Sequence, residues 1–271
     1  MLYAQADSIL AENIFRYELK DGRATRNRMI IQQNTYDLNQ KLIRRIYYDS
    51  VANIAQSTLI FYRDNVPVSE ETFNKDFQID SVRRFTYTAE GKRDKEILYS
   101  IHDGVPQKKS SIQYEYDNHR LKQETLYNEK DKWIRKTTFA EEQGKQTTSS
   151  VYRKGTHSQG VRERITETIF EEGKPSVMKI TENLFSKVSR IRTILFEYDS
   201  LTQQLQSEKW MDEANSLLKE VLYRYYPEGY IRSRSIRISS GDYIEHLVYE
   251  RSKHNIILGN PEMLFIPEED Q

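Results

Sequence analysis

The densest binding chemistry in this sequence lies between residues 222 and 238, LYRYYPEGYIRSRSIRI. Tyr223, Arg224, Tyr225, Tyr230, Arg232 and Arg234 fall there, with Arg237 beyond them and Glu228 the one opposing charge. Guanidinium groups interleaved with phenol rings can grip an anionic polymer or a sugar through ion pairs, cation–π contacts and stacking. Alternation along a strand places Arg232 and Arg234 on one face. The competing reading is structural: these arginines pair with Glu197, Glu208 or Glu220 on neighbouring strands.

Other chemistry is sparse. The five histidines (His102, His119, His157, His246 and His254) form no HxH or HExxH pair, so no metal site is expected. Glu245 and His246 are adjacent in a strand-like run and face opposite sides. There is no P-loop, no GxSxG and no dinucleotide glycine fingerprint. With no cysteine in the chain, disulfides, thiolate metal sites and cysteine nucleophiles are excluded. No catalytic residue and no cofactor is therefore expected. Carboxylates are abundant, but a glycosidase pair is defined by separation in space.

Lys plus Arg and Asp plus Glu number 41 each, so no net field draws the chain to nucleic acid or an anionic membrane. Hydrophobic residues are 37% and charged residues 30% of the 271, a thin core with much wetted surface. Nineteen Tyr and ten Phe nonetheless argue against disorder.

What must position these side chains is a repeat. Tyr36, Tyr62, Tyr87, Tyr114, Phe139, Phe170, Tyr198 and Tyr225 stand 26, 25, 27, 25, 31, 28 and 27 residues apart. A second series, Tyr48, Phe73, Tyr99, Tyr127, Tyr152, Phe185 and Trp210, interleaves with it. Half a unit is one strand plus one turn. Turn pairs fall between the alternating runs: Asn39-Gln40, Asp64-Asn65, Glu90-Gly91, Asp103-Gly104, Asn118-His119, Gln143-Gly144, Glu172-Gly173 and Glu228-Gly229. In 111–127, SIQYEYDNHRLKQETLY, pairing Asp117 with Arg120 sets Tyr116 opposite Leu121, Glu115 opposite Lys122 and Tyr114 opposite Gln123. The spacing predicts an all-β chain: a long antiparallel meander of about 16–18 strands in a twisted or curled open sheet. One face would be rich in Tyr, Phe and Ile, the other charged and wet. Residues 9–19 read as a short helix or cap. The stretch 211–220 reads as a helical turn, or a polar connection followed by a strand. A membrane barrel is set aside, because runs such as 108–116 and 135–155 cannot supply an apolar outward band.

The turn chemistry resembles the YD repeat of the Rhs family. YEYDNHRLKQETLY (114–127) carries Tyr-Asp, an Asn turn and then Arg-Leu; 35–48, 85–99, 196–210 and 223–238 match in part. The resemblance implies long β-ribbons. Encapsulation of a toxin does not carry over, since too few units are present to close such a shell.

Residues 1–27 read as an export remnant and cap, 28–254 as the repeat domain and 255–271 as a capping tail. Ala4-Gln5-Ala6 fits a signal-peptidase site, and YAQADS resembles the mature start of exported Bacteroidetes proteins. The expectation is a non-enzymatic periplasmic or surface scaffold, binding an envelope protein or glycan through a sheet face or edge. It would engage no nucleic acid and span no membrane. A polysaccharide-acting enzyme and a toxin-neutralising, immunity-like protein are the alternatives.

Overall fold

The computed structural model describes residues 6–153, 160–183 and 189–256. They form eighteen strands: β1 (Ala6–Lys20), β2 (Arg23–Tyr36), β3 (Leu42–Tyr48), β4 (Ile54–Arg63), β5 (Val66–Phe73), β6 (Ile79–Tyr87), β7 (Arg93–His102), β8 (Val105–Asp117), β9 (Arg120–Asn128), β10 (Trp133–Glu142), β11 (Lys145–Arg153), β12 (Gly160–Glu171), β13 (Lys174–Asn183), β14 (Ser189–Tyr198), β15 (Leu205–Met211), β16 (Leu217–Tyr225), β17 (Ile231–Ile238) and β18 (Tyr243–Ile256). Each pairs antiparallel with its neighbours in sequence. Residues 9–19 belong to β1, not to a helix, because ladders on both sides of that segment outweigh its weak helical pattern. Residues 211–220 are the end of β15, a turn and the start of β16.

The expected open sheet does not form. β1 pairs with β18 from Ala6↔Ile256 to Arg16↔Leu247, and the ladder closes into an eighteen-stranded barrel. A twisted meander this wide must curl, and joining its first and last strands removes the bare N–H and C=O groups of two edges. Capture of a partner strand at an edge thereby loses its premise. Residues 257–271, most of the expected capping tail, lie outside the described part.

Strand parity divides the wall into two faces. Chirality assigns them. From β1 to β4 the level of Ile14 passes through Gln32, Tyr47 and Gln56, stepping steadily toward the β1–β2 turn. In a barrel with the usual strand twist and tilt, Asp117 and Arg120, bonded to each other across a two-residue turn, then point outward and Tyr116 inward. Gln113, Glu115, Thr138, Leu195, Glu197 and Arg224 on the outer face are exposed, while Ala11, Ile46, Ser111, Thr125 and Glu220 on the same face are buried, so strand chirality and not accessibility separates the two walls. Side chains of the inner face converge, and Ile14, Phe85, Ile180, Ile194, Val221 and Leu247 are buried there.

The expected division into one aromatic and one charged face is not observed. Tyr36, Tyr62, Tyr87 and Tyr198 face inward, whereas Tyr48, Phe73, Tyr99 and Tyr127 face outward. Charges also lie on both faces. Glu12, Arg83, Glu96 and Arg234 are inside; Arg84, Lys95, Glu197, Lys209 and Glu220 are outside. No helix among the described residues is long and apolar enough to cross a membrane. Among the described residues charged side chains lie on the outer wall as well as the inner one. About eight strands is the size at which side chains can still fill a barrel. Eighteen, at ~4.8 Å each, enclose a far wider lumen, so a polar inner wall is a physical requirement.

The repeat has a backbone cause. Two-residue turns such as Asn118-His119 (φ 45° and 70°) take the doubly positive φ geometry that suits strand twist. Just before that turn, Tyr116 pairs with Leu121, but Glu115 then pairs with Gln123, leaving Lys122 as a bulge. The simple register expected for this hairpin is therefore right for its first two pairs and one residue off beyond. The same shift recurs beside Tyr36, Tyr62, Tyr87, Phe170, Tyr198 and Tyr225. Tyr116, not Tyr114, is thus the true member of the series. At the residue preceding a bulge, a tyrosine from the following even-numbered strand donates its hydroxyl to the carbonyl. The pairs are Tyr62 to Leu42 (3.0 Å), Tyr87 to Pro67, Tyr116 to Arg93 (2.8 Å), Tyr198 to Pro175 (3.0 Å) and Tyr225 to Leu205 (2.9 Å).

The basic residue of the motif is equally structural. Lys41, Lys92 and Lys174 lie 5.4, 5.1 and 5.3 Å from the rings of Tyr62, Tyr116 and Tyr198. Each also bonds the next turn, at Asn65, His119 and Gln203 respectively. The aspartate caps its own turn: Asp199 Oδ1 accepts from the N–H groups of Leu201 and Thr202, and these bonds hold its carboxyl below the usual range. Tyr116→Phe should cost about 1 kcal/mol, read as a lower denaturation midpoint with unchanged slope in urea. An unchanged midpoint would show that the hydroxyl contributes nothing.

Candidate functional site

The turns that follow even-numbered strands form one rim, here the upper rim; β1 begins and β18 ends there. The barrel's seam at this rim holds a cavity of about 610 Å³ lined by Leu10, Asp37, Leu38, Gln40, Tyr226, Glu228, Tyr230, Arg251 and Ser252. Its walls are held in place from behind. Tyr226 donates its hydroxyl to the Tyr249 carbonyl at 2.9 Å. Arg251 lies 3.6 Å over the Tyr230 ring and donates Nε to Glu12 at 2.9 Å. Glu12, itself buried, also accepts from Asn34 (3.1 Å) and Tyr36 (3.3 Å). Burial, then the charge of Glu12, raise the Tyr36 phenol above its ordinary value.

From this seam a polar band continues along the inner wall. Arg234 donates to Glu245 at 2.7 Å, and Tyr223 to Glu208 at 2.7 Å. Burial first, and Glu208 second, push Tyr223 up to about 12. A second cluster lies on β5–β8, where Glu96 meets Arg83 (3.2 Å), Arg93 (3.5 Å) and the Tyr114 hydroxyl (3.3 Å). Arginine holds Glu245 and Glu96, whereas Glu208 is held by Tyr223 and the Trp210 indole.

The six residues singled out in the sequence do not form one surface. Tyr223, Tyr225 and Arg234 face inward, and Arg224 faces outward. Tyr230 sits in the rim turn over Arg251. Arg232 is a bulge residue, 5.9 Å from the Tyr226 ring, and so does not share the simple strand face of Arg234. Structural pairing accounts for Arg237 with Glu220, while Arg234 takes Glu245. Leu10, Leu38, Gln40 and Glu12 were missed, because only closure of the barrel brings them beside Tyr230, and Arg251 was missed although it comes from the neighbouring β18. Tyr226 and Glu228 stood in the quoted stretch, where a Pro-containing turn between aromatics was the available signal.

A larger cavity, about 760 Å³, lies between the tips of β8–β9 and β10–β11. Of its charged lining, Arg120 and Glu141 pair at 3.0 Å, and Phe139 is its one aromatic. It offers a ligand less than the seam does. On the outer wall, beneath the tip of the β1–β2 hairpin, a small cavity is lined by Ala24, Leu222, Arg224, Ser235, Tyr243 and His246. Ser235 Oγ and His246 Nδ1 are 2.7 Å apart. Burial, and secondarily Arg224, hold the His246 imidazole below its ordinary 6.5. Among the described residues no three His, Asp or Glu side chains converge as metal ligands. His157 lies outside the described residues.

Two outcomes follow. Glu12→Ala strands the part-buried Arg251 and should cost roughly 2–4 kcal/mol in a chemical melt; a loss under half a kilocalorie would show the pair to be dispensable. His246 has a folded pKa below its unfolded one, so the unfolded chain binds the extra proton. Its contribution is fully present above about pH 6.5 and is lost as pH falls below that. His246→Gln should flatten this part of the stability–pH curve, measured as Tm between pH 7.5 and 5. An unchanged slope would exclude His246 as its source.

No protein-family model matches the chain, and no curated protein matches it. Among solved structures, a porin-like protein from Bacteroides vulgatus aligns over 88% of this chain and 96% of its own, at 10% identity and a TM-score of 0.41. One from Bacteroides uniformis aligns over 92% and 98%, at 11% identity and a TM-score of 0.37. The TcdB2-TccC3 complex with Cdc42 aligns over 84% of this chain but 21% of that one, at 9% identity and a TM-score of 0.18. The YD-repeat resemblance thus remains partial, and likenesses this weak carry no argument about function.

Proposed function

We propose that this barrel is a non-enzymatic binding protein of the bacterial envelope, and that it takes a glycan at the upper-rim seam. The supporting observation is the seam cavity itself. It is of ligand size and presents two tyrosine rings, a guanidinium, two carboxylates and an amide side by side. Sugars are bound by this mixture: C–H faces lie on aromatic rings while hydroxyls bridge polar groups. Tyr226 and Arg251 are anchored from behind, so little ordering is needed on binding. The Ala4-Gln5-Ala6 pattern and the resemblance of YAQADS to exported proteins support the envelope reading. Recognition is assigned to the inner rim, since no sheet edge is left for it.

The test is a panel of cell-wall and host glycans against the intact protein. Saturable binding is expected, weakened at least about tenfold by Tyr230→Ala and by Glu228→Gln, with no turnover of the bound glycan. Tyr230 and Glu228 are exposed, so both variants should fold. Binding that ignores both substitutions would overturn the site, and cleavage of the bound glycan would overturn the non-enzymatic reading.

A further inference from the structure

The β1–β2 hairpin does more than start the wall. β1 and β2, with 15 and 14 residues, outlast the 7 of β3 and the 8 of β17. The ladder between β1 and β18 stops at Arg16↔Leu247. Beyond it the hairpin tip crosses neighbouring strands. Gly22 C=O accepts from Tyr243 N–H at 2.9 Å, and a Cβ on Gly22, whose φ is +67°, would overlap the Asp242 side chain. The Tyr17 ring meets the His246 ring edge-on at 5.2 Å. Ala24 of β2 shares a cavity with Leu222 of β16, four strands away around the barrel. The tip is therefore a flap lying over the outer face of β16–β18.

Under the flap is a space of about 170 Å³, the scale of a cavity that admits benzene. Three polar side chains address it from three strands: Arg224 of β16, Ser235 of β17 and His246 of β18. Arg224 is exposed and enters no ion pair among the described residues. The carboxylates of this face are committed elsewhere, Glu220 to Arg237 and Glu250 to Arg28. At the flap tip Asp242 accepts from Ser240. The pocket thus has one uncompensated cation, a hydroxyl, and an imidazole with a free ring nitrogen.

We propose that this pocket binds a small tetrahedral oxyanion, of the phosphate or sulfate class. Arg224 supplies the charge and a fork of donors. Ser235 and His246, bonded to each other, leave one further donor while the imidazole is neutral and two once it is protonated, and the flap excludes water on one side. The groups facing His246 are Tyr17 of β1, Ala24 of β2, Arg224 of β16 and Ser235 of β17. None is a carboxylate, so a proton on His246 faces a like charge until an anion arrives. Anion binding and His246 protonation must then favour each other. This site is separate from the glycan cavity and stands or falls alone.

Sulfate is the probe, because its charge is constant between pH 6 and 8. Calorimetric titration of the intact chain should show saturable binding near or below about 10 mM, tighter at pH 6 than at pH 8. Arg224→Gln should weaken it at least about tenfold, while Arg120→Gln, at the β8–β9 turn on the far side of the barrel, should leave it unchanged. His246→Gln should keep binding but remove its pH dependence. Inorganic phosphate should compete at fixed pH. A phosphomonoester that competes better than phosphate would assign the pocket to a phosphorylated ligand, and one that fails to compete would assign it to the free ion. Absence of saturation below about 50 mM, or equal affinity in Arg224→Gln with an unchanged melting profile, would overturn the proposal.

Discussion

The pairing of β1 with β18 is the constraint on which the rest depends. Each strand of a meander needs partners on both sides, and the two terminal strands can find theirs in each other. Once they do, the number of strands fixes the character of the interior. Side chains cannot bridge a lumen eighteen strands around, so the inner wall must hold itself together laterally. It does so with charge and hydrogen bonding: Glu12 with Arg251, Glu96 with Arg83 and Arg93, Glu208 with Tyr223, Glu245 with Arg234. The low hydrophobic content of the chain is the compositional trace of a wall with two wet faces.

Lateral cohesion explains the repeat as well. The bulge beside each series aromatic re-aims the backbone, and the tyrosine of the next even-numbered strand satisfies the carbonyl beside it. The lysine covers that ring and reaches the following turn, so one hairpin is tied to the next by three different bonds. Tyr, Asp and Lys are each fully occupied in this. What looked like a reactive Tyr-Asp pair in 114–127 is a turn and its fastening.

The local half of this was legible in the sequence. Strand count, turn positions and the two aromatic series follow from period-two alternation and from Asn, Asp and Gly at turns. Closure was not legible, because it depends on register accumulated over seventeen hairpin connections, and no local window contains that sum. The bulges were also hidden. Lys122 and Arg232 are ordinary strand residues by type, yet each is the extra residue that shifts its hairpin by one. That shift put Tyr114 into the aromatic series in place of Tyr116 and gave Arg232 the same face as Arg234. Of the candidate site, Tyr230 was visible and most of its surroundings were not, since Leu10 and Leu38 come from the opposite end of the chain, across the seam.

Both cavities of interest flank that seam, one at the upper rim and one on the outer wall, and the repeat gives a reason. Within regular hairpins the side chains that could meet a ligand are already used: lysine on tyrosine, carboxylate on arginine, aspartate on its own turn. At the seam the repeat is interrupted. β1, β2 and β18 run long, the turn 226–230 carries two tyrosines in place of Tyr-Asp, and the β1–β2 tip folds over its neighbours. Irregular geometry leaves Glu228 and Arg224 outside the fastening pattern, facing spaces that no repeat side chain fills. A protein whose regular part spends its polar groups on cohesion can bind only where that regularity breaks, and here it breaks where the barrel closes.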